Sequence, residues 1–227
     1  MKASDKSKSR QDYLKAILSF ELKGMKVSTT SISEKLKTKP ASVTGMFKVL
    51  SDLGLIEYKP YRGAELTDLG RSEAISLMRK HRLWETFMVE NLGFGWDEVH
   101  EVAEQLEHVE SNELIDRLDA YMGYPAFDPH GDPIPDKDGN LTDRRALVQA
   151  STLKSGDVAS IQGVLGSSDT FLKHLGELGI KLGLVFTVKK VFEYDGNLLV
   201  EFPNESGEMR EHSWSKKLVE QLLAELK

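Results

Sequence analysis

Apolar residues recur at two different periods along the chain, and the change of period divides it. Tyr13, Leu14, Ile17, Leu18 and Leu22 follow helical spacing, and Gly24 ends that run. Ile32 and Leu36 mark a short second helix that Thr30 or Ser31 can cap. Thr38-Lys39-Pro40 reads as a turn with proline in the first turn of the next helix, where its missing N–H costs nothing. Val43, Phe47, Leu50 and Leu53 stripe that third helix, and Gly54 closes it. Leu55-Ile56-Glu57-Tyr58 and Ala64-Glu65-Leu66-Thr67 then predict two strands around a tip at 59–63. Thr67 can cap a long helix reaching about Asn91. A second helix is predicted over 96–108, with Val99, Val102, Ala103 and Leu106 apolar. A third covers 111–122, with Leu114, Ile115, Leu118 and Tyr121 inward. Four of the seven prolines fall in 123–139, so that stretch is a linker or an ordered irregular segment. Beyond it, 158–162, 185–191, 197–202 and 209–214 read as short strands, with Tyr194-Asp195-Gly196-Asn197 a hairpin turn. Helices are predicted over 169–178 and 215–226.

Three helices followed by a hairpin are the pattern of a winged helix-turn-helix, and short strands around one helix suit a small barrel. The expected class is α+β in three parts: 1–67, 68–142 and 143–227. Charge sharpens the first part. The chain carries a net −6, yet residues 1–63 hold 13 Lys/Arg against 6 Asp/Glu, a net +7, and the remainder is strongly acidic. A basic module on an acidic body points to nucleic acid. The alternatives are a solubilising tail, although only four of those basic residues lie in the first ten, and a small protein-interaction module. The third helix offers Ser42, Thr44, Gly45 and Lys48 on its polar face. Small polar residues allow approach to base edges and basic ones hold phosphates. Thr38 and Lys39 in the preceding turn, and Lys59 and Arg62 near the hairpin tip, complete the candidate DNA contacts.

The chain has no cysteine, which excludes disulfides, Cys-ligated zinc, iron–sulfur clusters and a cysteine nucleophile. No stretch approaches the ~18 consecutive apolar residues of a membrane helix. The N-terminus alternates apolar and charged residues, unlike a signal-peptide core. A cytoplasmic protein without a membrane partner is expected. The middle segment carries the candidate chemistry. His81 and Glu85 stand at i, i+4; His100, Glu104, Glu107 and His108 follow at spacings of four, three and one on one broad polar face. Such a set can present nitrogen and oxygen donors to one ion, or it is a solvated acidic face. A His/Glu site could in principle hydrolyse a substrate. The sequence, however, has no phosphate-binding glycine motif and no nucleophile–base pair. A regulator of organic-ligand type would need an apolar cavity in place of this cluster.

The stretch Met78-Arg79-Lys80-His81-Arg82-Leu83-Trp84-Glu85 resembles the iron/manganese-dependent repressors of the diphtheria toxin repressor (DtxR/MntR) family. Val99-His100-Glu101, Glu104-Gln105-Leu106-Glu107-His108-Val109 and the connector Asp128-Pro129-His130-Gly131-Asp132-Pro133-Ile134-Pro135 do so too. Phe171-Leu172-Lys173-His174-Leu175-Gly176-Glu177-Leu178-Gly179-Ile180 is similar to the SH3-like, FeoA-type domain appended to many members. The resemblance implies a winged-helix domain, a helical metal-binding and dimerisation domain, and an SH3-like barrel. It implies a homodimer that binds divalent manganese or iron and represses metal-homeostasis genes from palindromic operators. Asp12, Glu104, Glu107 and His108 match the family's regulatory ligands. Iron-responsive members carry a sulfur residue where this chain has Asp12 and Glu104, so hard carboxylate donors favour Mn²⁺ over Fe²⁺ here. Two-metal manganese regulators carry a second acid where this chain has Lys15. His81, Glu85 and His100 match a second cluster, which Asp128 and His130 could join. Iron-type members add ligands from the SH3-like domain, where this chain has Ser167 and Thr170 with Asp169 as a substitute. Bifunctional biotin ligases also combine a winged helix with such a barrel, but this chain lacks their nucleotide loop.

Overall fold

The computed structural model describes residues 3–60, 62–141, 147–166, 168–204 and 206–227. The chain forms two compact units. One comprises Met1–His81, Glu104–Arg117 and Pro135–Leu141; the other comprises Arg82–Ala103, Leu118–Ile134 and Thr142–Lys227.

In the first unit the predicted elements follow in order: α1 (Ala3–Leu22), α2 (Thr29–Lys35), α3 (Pro40–Asp52), β1 (Ile56–Lys59) and β2 (Gly63–Leu66). The helical stripes meet in one core, where Leu14, Ile17, Ile32, Val43, Phe47 and Leu50 are fully or almost fully buried. Helix α2 is capped by Ser28, not by Thr30 or Ser31. The Ser28 hydroxyl accepts from the Ser31 amide and the Ser31 hydroxyl accepts from the Ser28 amide, a reciprocal box that closes two otherwise open N–H groups. Lys37, at φ 49°, makes the turn into α3. Strands β1 and β2 pair antiparallel from Ile56↔Leu66 to Lys59↔Gly63. Gly63 is required there: its φ is +110°, and a Cβ would lie 2.3 Å from the Val27 carbonyl oxygen. Glu21 at the end of α1 accepts from the Leu66 amide and pairs with Arg71, fixing α1 to the hairpin.

Helix α4 (Asp68–Leu92) runs from this unit into the other, with Thr67 capping it through the Gly70 amide. Helix α5 (Val99–Leu106) is shorter than predicted, so Glu107 and His108 lie in its closing turn. Helix α6 is Asn112–Tyr121. Within the first unit, Lys80 donates to the Val109 carbonyl and Arg79 pairs with Asp116, so the α5–α6 turn is anchored to α4.

The second unit holds a six-stranded antiparallel sheet in the order β3-β8-β4-β5-β6-β7, an SH3-like arrangement. The strands are β3 (Val148–Gln149), β4 (Val158–Val164), β5 (Val185–Val191), β6 (Leu198–Pro203), β7 (Met209–Trp214) and β8 (Leu222–Leu226). Helix α7 (Asp169–Glu177) is inserted between β4 and β5. Ile161, Phe186, Val188, Val200 and Trp214 form the core. The helix predicted over 215–226 does not form as one element. Only α8 (Lys216–Val219) is helical, and β8 then pairs with both β3 and β4. Leu222, Leu223 and Ala224 are buried in succession, as in a strand covered on both faces. The proline-rich connector is ordered and irregular, with one isolated bridge between Phe127 and Pro133.

Candidate metal centres and DNA-binding surface

The DNA-facing candidates all fall on the first unit. Lys39, Ser42 and Lys48 are exposed on and before α3, opposite its buried stripe of Val43, Phe47 and Leu50. Thr44 is half-buried and its hydroxyl donates to the Pro40 carbonyl. Thr38 is half-buried in the turn, where its carbonyl accepts from the Ser33 hydroxyl. Lys59 and Arg62 are exposed at the hairpin tip, closed by the Arg62 amide donating to the Lys59 carbonyl.

Asp12 comes from α1, and Glu107 and His108 from the turn closing α5. One donor atom of each lies within 4.8 Å of the others. Glu104, the fourth predicted member, is outside this trio; its side chain is 55% exposed and its carboxylate stands 3.9 Å from Lys15 Nζ. His108 has a defined orientation. Its Nδ1 lies 2.7 Å from the Gln11 amide oxygen, so Nδ1 carries a hydrogen, and in the neutral ring Nε2 keeps its lone pair. Nε2 is buried without a hydrogen-bond partner and faces Asp12 Oδ1 at 3.3 Å and Glu107 Oε1 at 3.8 Å. Burial lowers the His108 pKa, with the Glu107 and Asp12 charges opposing. Neutral imidazole is the form that ligates. Burial, with Glu107 adding to it and His108 opposing, raises the Asp12 pKa. An unsatisfied imidazole nitrogen between two carboxylates fits a divalent cation, whose charge would relieve all three. Gln11 was not anticipated from sequence: an amide beside Asp12 carries no metal-ligand signature.

His81, from α4, belongs to the same unit. Its Nδ1 lies 2.5 Å from Glu107 Oε2 and 3.1 Å from Lys15 Nζ. It stands one helical turn before Glu85 on α4.

The second unit brings Glu85, Asp128 and His130 together, all buried, with donor atoms within 4.8 Å of one another. His100 joins through Nδ1, 3.2 Å from Glu85 Oε1. His130 Nε2 donates to the Trp96 carbonyl at 2.9 Å, and the two rings stack. Its Nδ1 therefore faces Glu85 Oε2, at 3.7 Å. Asp128 Oδ1 accepts from the amides of His130 and Asp132, while Oδ2 stands 3.5 Å from Arg82 Nε. The connector is fixed at this point by Gly131, at φ +82°, where a Cβ would lie 2.2 Å from the Gln162 carbonyl oxygen. Burial first, then the charges of Asp132 and Glu85, push the Asp128 pKa up to about 6. Burial of the His130 ring favours its neutral form, but the facing Glu85 carboxylate and Asp128 outweigh it and raise the pKa to about 9. Of the SH3-like candidates, Ser167 and the side chain of Asp169 lie outside the described residues, and Thr170 is exposed.

Residues 5–64 match the family model "Iron dependent repressor, N-terminal DNA binding domain", and residues 67–136 match "Iron dependent repressor, metal binding and dimerisation domain". An uncharacterized HTH-type transcriptional regulator, MJ0568 of Methanocaldococcus jannaschii, is 38% identical over 117 residues, covering 51% of this chain and 94% of the relative. The iron-dependent repressor IdeR of Mycobacterium leprae is 37% identical over 123 residues, covering 54% of each chain, so the match spans about half of that relative. A solved manganese-dependent transcriptional repressor in complex with manganese superposes with a TM-score of 0.79 at 32% identity, covering 96% of this chain and 100% of that one.

Proposed function

Because this chain belongs to the iron-dependent repressor family of metal-dependent transcriptional repressors, we propose that it is a homodimeric DNA-binding repressor of metal-homeostasis genes. In this reading divalent manganese, or iron as the alternative, organises the protein for palindromic operator DNA. The observation that carries the proposal is the buried His108 Nε2, without a hydrogen-bond partner and aimed at Asp12 and Glu107. Asp12 belongs to α1, which shares its core with the recognition helix α3. Glu107 and His108 belong to the turn anchored to α4 by Lys80. A bound divalent ion supplies the positive charge that lets these carboxylates share one point. Asp12 then ties the DNA-binding part to the helical segment, Gln11 holds the His108 ring, and Glu104 stands beside the trio as a further oxygen donor. Glu85, Asp128, His130 and His100 supply a second, auxiliary centre.

Oxygen and imidazole donors without sulfur favour manganese over softer ions, and the likeness to the manganese-dependent repressor supports that choice. IdeR, named as iron-dependent, keeps iron as the second reading. The three-part division at 1–67, 68–142 and 143–227 accompanies this proposal; its second boundary falls outside the described residues. No described helix is long and apolar enough to cross a membrane, and the proposed place of action is the cytoplasm. No catalytic turnover is assigned.

The test is fluorescence anisotropy of the protein on its own upstream DNA, titrated with Mn²⁺, anaerobic Fe²⁺ and Zn²⁺ at fixed salt, since phosphate contacts make affinity salt-dependent. Binding that tightens at lower free Mn²⁺ than Fe²⁺ is expected. Equal or better activation by Fe²⁺ selects the iron reading. Indifference to every metal removes metal control altogether.

A further inference from the structure

Resting on the reading of the first unit as a DNA-binding module, we propose that the cleft between the end of α1 and the β1–β2 hairpin is a phosphate site for the DNA backbone, with Lys26 as its added cation. Gly24, at φ +64°, ends α1, and α2 does not begin until its Ser28 cap. The residues between form no helix, and Met25 and Lys26 there are exposed. Val27 is buried, and its carbonyl accepts from the Ala64 amide at 3.3 Å, so this short link lies along β2 as a further edge of the hairpin. Gly63 permits that approach, and a Cβ at Gly63 would also stand 3.8 Å from Lys26 Cε. The Lys26 side chain therefore passes the hairpin beside the residue that follows Arg62. Sequence order hides this neighbour, because Lys26 precedes α2 and reaches the hairpin only through the Val27–Ala64 bond.

Charge shows why the hairpin needs that neighbour. By itself the hairpin is neutral: Lys59 and Arg62 are matched by Glu57 and Glu65, which stand opposite each other across the two strands. A neutral hairpin has no net attraction for a phosphate, and Lys26 makes the combined surface positive. The cleft has a volume of about 350 Å³ and is lined by Lys26, Arg62 and Arg71 with Glu21 and Glu65. Arg71 is answered by Glu21, whose other oxygen accepts from the Leu66 amide and holds α1 to the hairpin. Among the described residues Lys26 and Arg62 have no ion-pair partner, and the one remaining carboxylate of the cleft, Glu65, leaves a net positive charge there. Two cations converging on one cleft fit an oxyanion. A backbone phosphate beside the groove that α3 enters is such an anion, and a contact of this kind sets register without reading sequence.

The experiment measures anisotropy of the Mn²⁺-loaded full chain on its own upstream duplex and on a scrambled duplex of equal length, over a series of salt concentrations. The proteins are the wild type, K26A, K26R, K26A/R62A and, as a control, K23A, whose lysine lies outside the cleft. K26A should weaken binding to both duplexes alike and reduce the slope of log K against log salt by about 1, and K26A/R62A by about 2. K26R and K23A should keep the wild-type slope. If K26A keeps it too, or K23A loses as much, Lys26 holds no phosphate and the inference is wrong. A K26A loss confined to the upstream duplex would make Lys26 a base contact and overturn the backbone role. Should inorganic phosphate at constant ionic strength release the duplex from the wild type but not from K26A, the cleft takes the free anion and its assignment to DNA is overturned. If the wild type binds neither duplex, the DNA-binding reading itself fails and takes this inference with it.

Discussion

Two histidines on different units use one device: a neutral acceptor holds one ring nitrogen, so the other faces carboxylates. Gln11 does this for His108 and the Trp96 carbonyl for His130. Orientation by such a neighbour commonly sets metal affinity by about 10–100-fold. A Gln11→Ala protein should therefore keep its fold and its stoichiometry but bind Mn²⁺ at least ~10-fold more weakly at the Asp12 centre, a loss measurable by isothermal titration. His130 adds a pH signature. Its pKa rises from 6.5 to about 9 on folding, so the folded state holds its proton more tightly than the unfolded chain. That contribution is fully present below pH 6.5 and is lost as pH rises through 9, amounting to at most about 3 kcal/mol. Asp128, raised from 3.8 to about 6, acts with the same sign at lower pH. Chelator-treated protein should thus lose thermal stability between pH 6.5 and 9, and His130→Ala should flatten that slope; an unchanged slope would remove His130 as its source. At this scale the sequence displays ligand types but not their orientation. Lys15 shows in the sequence only as a departure from an acid, and its ammonium position emerges only when α1 meets the α5 turn.

Helix α3 illustrates what an element adds to its residues. Val43, Phe47 and Leu50 are fully buried, and Phe47 also packs on Tyr58 with ring centroids 5.3 Å apart. The opposite face, with Ser42 and Lys48, is left for a partner by the same 3.6-residue period. A phosphate contact from Lys48 predicts that Lys48→Ala weakens binding to all DNA sequences alike and reduces the salt slope of log K by about 1. Ser42→Ala, at the helix start, should change sequence preference more than salt dependence. Competition binding against a panel of operator variants separates the two. The helices and the hairpin of this region were legible because amphipathic period, turn residues and glycines agreed. The chain end was not. Leu218, Val219, Leu222 and Leu223 fit a helical stripe equally well, and a continuous apolar run does not distinguish a helix from a strand covered on both faces. Pairing with β3 and β4 decides the matter, and no local pattern encodes a partner 58 or more residues away. The Ser28 cap was missed for a smaller reason: several hydroxyls compete there, and only the box geometry selects one.

For the whole molecule, the proposed function places the charge asymmetry and the candidate Asp12 centre in one equilibrium. In that reading the basic first quarter supplies attraction to DNA regardless of metal, and metal acts by favouring the arrangement that two recognition helices need on successive major grooves. Such coupling is typically about 1–3 kcal/mol, or roughly 5–150-fold in affinity. Linkage requires the effect to be mutual: if Mn²⁺ tightens binding to a palindrome by some factor, the palindrome must tighten Mn²⁺ binding by the same factor. A half-site should not show the full effect, because one recognition helix does not sense the spacing between two. Mn²⁺ titrations in the presence of palindrome, half-site and no DNA, paired with DNA titrations at high and zero Mn²⁺, test this without reference to regulated genes. Equal factors in the two directions for the wild type, abolished together in Asp12→Ala, are expected if Asp12 couples metal to DNA. If Asp12→Ala weakens Mn²⁺ binding yet leaves a metal-dependent gain in operator affinity, the coupling runs through the Glu85–Asp128–His130 centre instead. If metal tightens half-site and palindrome equally, it acts by local charge neutralisation and not by setting the distance between recognition helices.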